Sequence, residues 1–280
     1  MGAERLTPAS SLTGRRLKIA VIGAGNVATH LAQALAGVAD VCSVTARHIS
    51  SASRLAARIG EGCAASDSLA DLPADADLYL ISVSDDAVRG VVEATPDFPG
   101  IWAHTSGSVP ADVFRGHKSR YGVFYPLQTF TRDIPVDVGE VPMFIEGSDA
   151  AVERQLIDLA SLISRRVERA DSRRRQTLHV AAVFACNFAD LMWMEADGIL
   201  REGGLDLSYL MPLMKVTLEK LGKTDPRQAM TGPARRGDRR VIERHLGMLE
   251  GRPREIYAML SDTIFREFHG HGAESAEKCQ

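Results

Sequence analysis

The segment Leu17-Lys-Ile-Ala-Val-Ile-Gly-Ala-Gly-Asn-Val-Ala28 constrains the fold of this chain more than any other. Lys18 apart, Leu17–Ile22 is apolar and rich in β-branched side chains, the composition of a parallel strand covered on both faces. Gly23 permits a tight turn, and Gly25 lets backbone amides come close to a pyrophosphate. Ala28 stands where the third small residue of G-x-G-x-x-G/A allows close helix–strand packing. Asn26–Ala36 has helical spacing, with Val27, Leu31, Ala34 and Leu35 apolar and Gly37 as a stop. The start of that helix offers free N–H groups and the positive end of a dipole to a phosphate. Gly23, Ala24, Gly25, Asn26, Val27 and Ala28 are therefore expected to hold a dinucleotide.

Strand and helix then alternate. Val41–Thr45 reads as a strand and Ala52–Ile59 as a helix closed by Gly60; Leu78–Val83, Ile101–His104 and Gly122–Tyr125 read as further strands, with Met143–Glu146 as a last one. Asp85 or Asp86 can cap the helix that runs to Val92. Small polar residues follow the strand ends: Ser82-Val-Ser84, His104-Thr-Ser106 and Pro126-Leu-Gln128. In a doubly wound, mostly parallel sheet those ends line the ligand crevice. NAD-preferring sites place an acid about 20 residues past the glycines, to bond the ribose 2′-OH. Here Val44-Thr-Ala-Arg47-His48 carries none, and Arg47 can instead pair with a 2′-phosphate, which favours NADP over NAD. The plainer reading is that Arg47 is a solvated strand-end residue.

From Arg173 onward the pattern is helical, with breaks at 203–204, 222–226, 231–238 and 251–253. We expect residues 1–16 to be a disordered tail, 17–170 a Rossmann-like domain, and 171–280 an all-α domain for substrate and dimerisation. With 280 residues and a net charge of −3, nothing argues for wholesale binding to nucleic acid or an anionic membrane. The arginines of Ser164–Arg175 interleave with acids and with no aromatic, as a solvated face or subunit contact does and an RNA-binding patch does not. The four cysteines lack ligand spacing, so no metal site is expected, and Cys186 reads as a small core residue. There is no secretory h-region, and Thr177–Met194 is interrupted by His179, Asn187 and Asp190. The expectation is a cytoplasmic protein.

In Gln176–Leu200, at 100° per residue, Gln176, His179, Asn187, Asp190 and Asp197 share a narrow arc on an otherwise apolar rod. A helix with so narrow a polar stripe is expected to be mostly buried, its polar groups in an internal hydrogen-bond network or facing a cleft. Thr231-Gly-Pro-Ala-Arg-Arg-Gly-Asp238 is either a plain connector or a site loop, with Asp238 capping Arg239–Leu249. A bidentate Arg236 held there can receive a substrate carboxylate or phosphate.

These pieces together, Gly23–Ala28, Ser82–Asp85, His104–Ser108, Tyr125–Phe130, His179–Asn187 and Gly232–Asp238, resemble a family of Rossmann-fold oxidoreductases whose C-terminal half is a domain of unknown function. It stands near the pyrroline-5-carboxylate and ketopantoate reductases and the 6-phosphogluconate/β-hydroxyacid dehydrogenases. The resemblance implies an N-terminal NADP-binding domain and a helical, 6-phosphogluconate dehydrogenase-like C-terminal domain that builds a homodimer. The β-hydroxyacid dehydrogenases place a catalytic Lys four residues before an Asn on the long helix. Asn187 matches the Asn, but Val183 fills the lysine position. His179, two turns before Asn187, and His104, at a strand end, are then rival proton donors.

The expected function is an NADPH-dependent oxidoreductase reducing a small, anionic carbonyl or imine compound. In that scheme Arg47 holds the 2′-phosphate, and Ser82, Val83, Ser84 and Thr105 line the cofactor. Ser106 lies near the nicotinamide, Asn187 positions the reacting atom, and Gln128 and Arg236 hold the substrate. The alternatives are a non-enzymatic NADP(H)-binding or sensing protein, and an interaction module built on Arg165–Arg175.

Overall fold

A computed structural model describes residues 15–270. They group into two compact units divided between Asn187 and Phe188, further along the chain than the boundary expected near residue 170. The disordered-tail expectation falls, for 1–14, outside the described residues. At its end, Arg15 is paired with Asp77 and Arg16 donates to the Ala36 carbonyl.

The first unit is built on one sheet. Its strands are β1 (Lys18–Ile22), β2 (Asp40–Thr45), β3 (Ala64–Ser66), β4 (Leu78–Ile81), β5 (Ile101–His104), β6 (Tyr121–Pro126), β7 (Met143–Gly147) and β8 (Val167–Arg169). Their order is β3-β2-β1-β4-β5-β6-β7-β8. Every neighbouring pair is parallel except β6–β7. The order reverses between β1 and β4, which opens a crevice beyond their carboxyl ends. Met143–Glu146 is thus not the last strand: β7 is antiparallel and β8 pairs with it.

Alternation along the strands explains why they read as continuous apolar runs. Ile19 and Val21 of β1 join one core with Leu31 and Leu35 of α1 (Asn26–Ala36), Leu55 of α2 (Ile49–Ile59) and Leu156 of α4 (Ala150–Ser161). Ala20 and Ile22 join a second core on the opposite face, with Trp102, Phe114 and Val88 of α3 (Asp85–Ala94). Both faces are covered, so both registers must be apolar. In the second core Tyr79 and Trp102 stack with centroids 4.2 Å apart, and Lys118 Nζ lies 4.3 Å from the Trp102 ring.

Helix starts follow their caps. Asp149 accepts from Ala151 and Val152 N–H, and Asp171 from Arg174 N–H. The capping position of α3 is Ser84, so Asp85 and Asp86 lie in its first turn and are not the caps expected. The arginine-rich stretch 164–175 is also not simply a solvated face. It contains β8, and its side chains pair as Arg166–Glu168, Arg169–Glu153 and Arg174–Glu168. Arg175, on α5 (Ser172–Ala182), is fully buried against Glu146 of β7.

A π-helical turn, Val183–Asn187, ends the first unit. The second is helical throughout its described residues: α6 (Phe188–Glu202), α7 (Met211–Leu221), α8 (Pro226–Ala229), α9 (Pro233–Arg236), α10 (Arg239–Leu246) and α11 (Gly251–His269). Gly237, at φ +76°, ends α9, and Asp238 caps α10 by accepting from Val241 N–H. Arg235 and Arg239 lie over Phe268 and Phe265 of α11.

The polar-striped helix is not buried as expected. Across 172–202 only Arg175 is fully enclosed, while Val180, Phe184, Met194 and Ile199 are exposed. The composition of this helix calls for burial, which the described residues do not supply to Val180, Met194 and Ile199. By length and composition alone, Ser172–Glu202 is also long and apolar enough to cross a membrane.

Candidate active site

At the carboxyl ends of β1, β2, β4, β5 and β6 the first unit encloses a cavity of about 910 Å³. Gly23 begins its floor at φ +116°, and its N–H donates to the Thr45 carbonyl. A Cβ on Gly23 would stand 2.0 Å from the Ser82 carbonyl oxygen, so only glycine lets β1 turn beside β4. Gly25 differs. It precedes α1 at φ −79°, which any residue adopts, and a Cβ there would meet no protein atom within 4 Å. Its small size leaves room on the cavity side, where the unbonded N–H groups of Asn26 and Val27 open α1. Ala28 is fully buried under that turn. Arg132, unforeseen in the sequence, donates to the Ala24 carbonyl at 3.1 Å and braces the turn from behind.

One rim is formed by Arg47, His48 and Ser51, where β2 passes into α2, with Asp67 beyond β3. Arg47 and His48 are exposed. The opposite end gathers Ser82, Val83, Ser84, Thr105, Ser106 and Gln128. Thr105 Oγ1 donates to Ser82 Oγ at 3.1 Å, tying the loops after β4 and β5 together. Ser106 Oγ accepts from the N–H groups of Ser108 and Val109, both at 3.1 Å, and Ser108 donates to the Asp85 carboxylate. Ser106 thereby builds the turn, and with Ser108 committed to Asp85 its own hydrogen has Ser108 Oγ as a partner at 3.4 Å.

His104 does not line the cavity, which corrects its assignment as a proton donor. Along β5, Ile101 and Ala103 face one core and Trp102 the other, so His104 shares the face of Trp102 and stacks on Phe114 with centroids 5.6 Å apart. Its Nδ1 accepts from Ser106 N–H at 3.2 Å. Burial, reinforced by the nearby Arg175 guanidinium, pushes its basicity down to about 3. The imidazole is neutral and structural.

His179 and Asn187 both reach the cavity, with Ala182, Val183 and Cys186 between them. Cys186 is a half-exposed lining residue and not the core residue expected. The π-helical turn alters the residue-to-angle relation, so an arc drawn at the α-helical pitch does not hold beyond Ala182. Tyr125 is the residue the sequence did not single out: its hydroxyl is 3.1 Å from His179 Nδ1, on the cavity wall. Arg236 belongs to the second unit, where it is exposed. Among the described residues no group of three or more His, Cys, Asp or Glu is placed to hold a metal.

Residues 4–123 match the model of a Rossmann-like domain, and 141–264 match a domain of unknown function, DUF2520. A candidate NADP oxidoreductase from Bacteroides fragilis is 39% identical over 90% of this chain and 98% of its own, with a TM-score of 0.83. The chain belongs to this Rossmann–DUF2520 family. A Thermotoga maritima protein shares the fold at 22% identity, over 89% of this chain and 98% of its own (TM-score 0.72). A reductive aminase from Aspergillus terreus, in complex with NADPH and ethyl-5-oxohexanoate, does so at 15% identity (83% and 78% covered, TM-score 0.59). No curated protein matches the chain by sequence. Within the Rossmann–DUF2520 family, this chain's cavity is the feature to which a function must be fitted.

Proposed function

We propose that this protein is an NADPH-dependent reductase of a small, anionic carbonyl or imine compound. The observation that carries the reading is the cavity itself. One continuous cavity runs from a glycine turn with free helix N–H groups, past a rim carrying Arg47, His48 and Asp67, to a cluster of polar side chains. The Bacteroides fragilis relative, named as an NADP oxidoreductase candidate, supports the choice of cofactor.

The residues fit a dinucleotide. Gly25 leaves the space a diphosphate needs, and the first N–H groups of α1 are aimed there. Arg47 supplies a guanidinium for a 2′-phosphate, and the absence of an acid at the end of β2 favours NADP over NAD. Ser82 and Thr105 stiffen the wall against which a nicotinamide would lie. When bound, NADPH supplies a hydride. The protein's part is to exclude water, orient the substrate and deliver a proton. We assign Asn187 to the reacting oxygen or nitrogen and Gln128 to an acidic tail, both from the cavity lining.

The first test is NADPH consumption against small 2-keto acids and cyclic imines, with Arg47→Ala as control. The proposal expects turnover by the wild type and a KM for NADPH at least tenfold higher in Arg47→Ala, with that for NADH little changed. Tight NADPH binding without turnover would instead favour a sensing protein, a reading that Val183 at the position of the dehydrogenase lysine keeps open.

The exposed apolar side chains of α6 and α7, among them Met194, Ile199, Leu213 and Leu218, support a homodimer formed through the helical unit. His179 and Asn187 line the cavity, so we read that helix as part of the site and not as a membrane span. We assign the protein to the cytoplasm, where NADPH is drawn upon, and give it no nucleic-acid partner.

A further inference from the structure

We propose that Tyr125 is the proton donor of this site and that His179 recharges it. The inference deepens the reductase reading above and rests on it. Three separately anchored parts of the chain meet at this one hydrogen bond on the cavity wall.

Tyr125 lies near the end of β6, on the face opposite Phe124, and is 7% exposed. Phe144 of β7 braces its ring, with centroids 6.4 Å apart. His179 stands one turn beyond Arg175 on α5. Arg175 is held by the Glu146 carboxylate and, at 2.6 Å, by the Val109 carbonyl. That clamp sets the register of α5 on the sheet, and the two rings meet edge to face at 67°. Gly107, in the loop after β5, closes over the pair. A Cβ there would stand 2.6 Å from His179 Nδ1 and 2.7 Å from Tyr125 Cζ. The loop can cross the pair only because this residue has no side chain.

The pair has two states. A neutral imidazole accepts the phenolic hydrogen at Nδ1, and the donor is idle. A protonated imidazole donates Nδ1–H to the phenol oxygen, which frees the phenolic hydrogen to point into the cavity. In this second state, as the substrate carbon takes a hydride, the π pair of its C=O or C=N bond takes the Tyr125 hydrogen. An O–H or N–H bond forms on the substrate while the phenolic O–H breaks. The Nδ1 proton moves to Tyr125 Oη, and His179, half-exposed, regains a proton from water. The balance is one hydride from the nucleotide and one proton from solvent.

Burial pushes the phenol up to about 12, against the opposing effect of the Arg175 guanidinium, so Tyr125 stays protonated across the working range. Arg175 on α5 and Asp85 at the start of α3 are the charged groups that act on it. Of the rivals, His104 is outside the cavity, and Ser106, which accepts from two backbone N–H groups, has Ser108 Oγ 3.4 Å away as the partner for its own hydrogen.

The test uses Tyr125→Phe and His179→Gln in the full chain, with two readouts. Reduction of 2-keto acids and cyclic imines by NADPH should fall at least about 100-fold in kcat in Tyr125→Phe. The Kd for NADPH should stay within about twofold, because a phenyl ring keeps the packing. His179→Gln keeps a hydrogen-bonding group and should lower kcat about tenfold while flattening its pH profile. Independently of turnover, the Nδ1 resonance of His179 at fixed pH should move in Tyr125→Phe, because its hydrogen-bond partner is gone. Tyr125→Phe turning over within about twofold of wild type, or an unmoved His179 Nδ1 resonance, overturns this inference and leaves the reductase reading standing. A wild type that binds NADPH but reduces no member of the panel removes both.

Discussion

At the scale of single residues, the clearest consequence concerns His104. The folded imidazole is held neutral down to about 3, whereas an unfolded one protonates near its ordinary value of 6.5. Between those values the unfolded chain binds more protons, so stability is full above pH 6.5 and falls as the pH drops below it. The expected slope is about 1.4 kcal/mol per pH unit. His104→Asn keeps an acceptor for Ser106 N–H and should remove that slope, as read by urea unfolding of both proteins at several pH values between 7 and 5. An unchanged slope would place the acid sensitivity elsewhere. The same residue shows where sequence reading stops. Ile101-Trp-Ala-His104 is apolar on both faces until its end, so nothing in its pattern says which face His104 takes. Only the assignment of Trp102 to the second core decides it. The glycine turn, by contrast, was legible from spacing alone, because Gly23 and Gly25 are required by backbone geometry and ligand room, neither of which depends on distant packing.

At the scale of elements, α5 meets the sheet through one buried cation, Arg175, with Ser172 and His179 adding hydrogen bonds to Glu146 and Tyr125. Removing one partner of a buried ion pair strands the other, so Arg175→Met should destabilise the first unit by about 3 kcal/mol. Arg166→Ala, at an exposed pair with Glu168, should cost under about 1 kcal/mol. Equal costs in denaturant titrations would show that Arg175 is not the clamp. In the sequence Arg175 is one of six arginines in a twelve-residue run, and charge alone does not distinguish the buried one. The short strands β3 and β8 also escaped notice, since three residues are too few for a period-2 pattern to show. The π-helical turn escaped for a related reason: periodicity is judged at a fixed pitch, and this segment changes pitch next to Asn187. The longer strands and helices were legible because each repeats its pattern over several residues.

At the scale of the whole molecule, the apolar surface of the helical unit sets the next expectation. Met194, Leu213 and Leu218 are exposed and unlike a solvated helix face. Met194→Glu combined with Leu213→Glu should convert a dimer to a monomer in light scattering, with the secondary structure retained. A monomeric wild type at micromolar concentration would contradict that assembly. The central claim, though, is that the turn after β1 and the rim at Arg47 grip NADPH. It is tested most directly by titrating NADPH into the wild type and Gly25→Asp, with thermal unfolding as the control for folding. The φ of Gly25 and the open space beside it allow the aspartate without strain, so the unfolding temperature should be unchanged. A carboxylate facing the diphosphate should then weaken NADPH binding at least about 100-fold. Equal NADPH affinity in the two proteins, or no affinity in the wild type, would contradict the account.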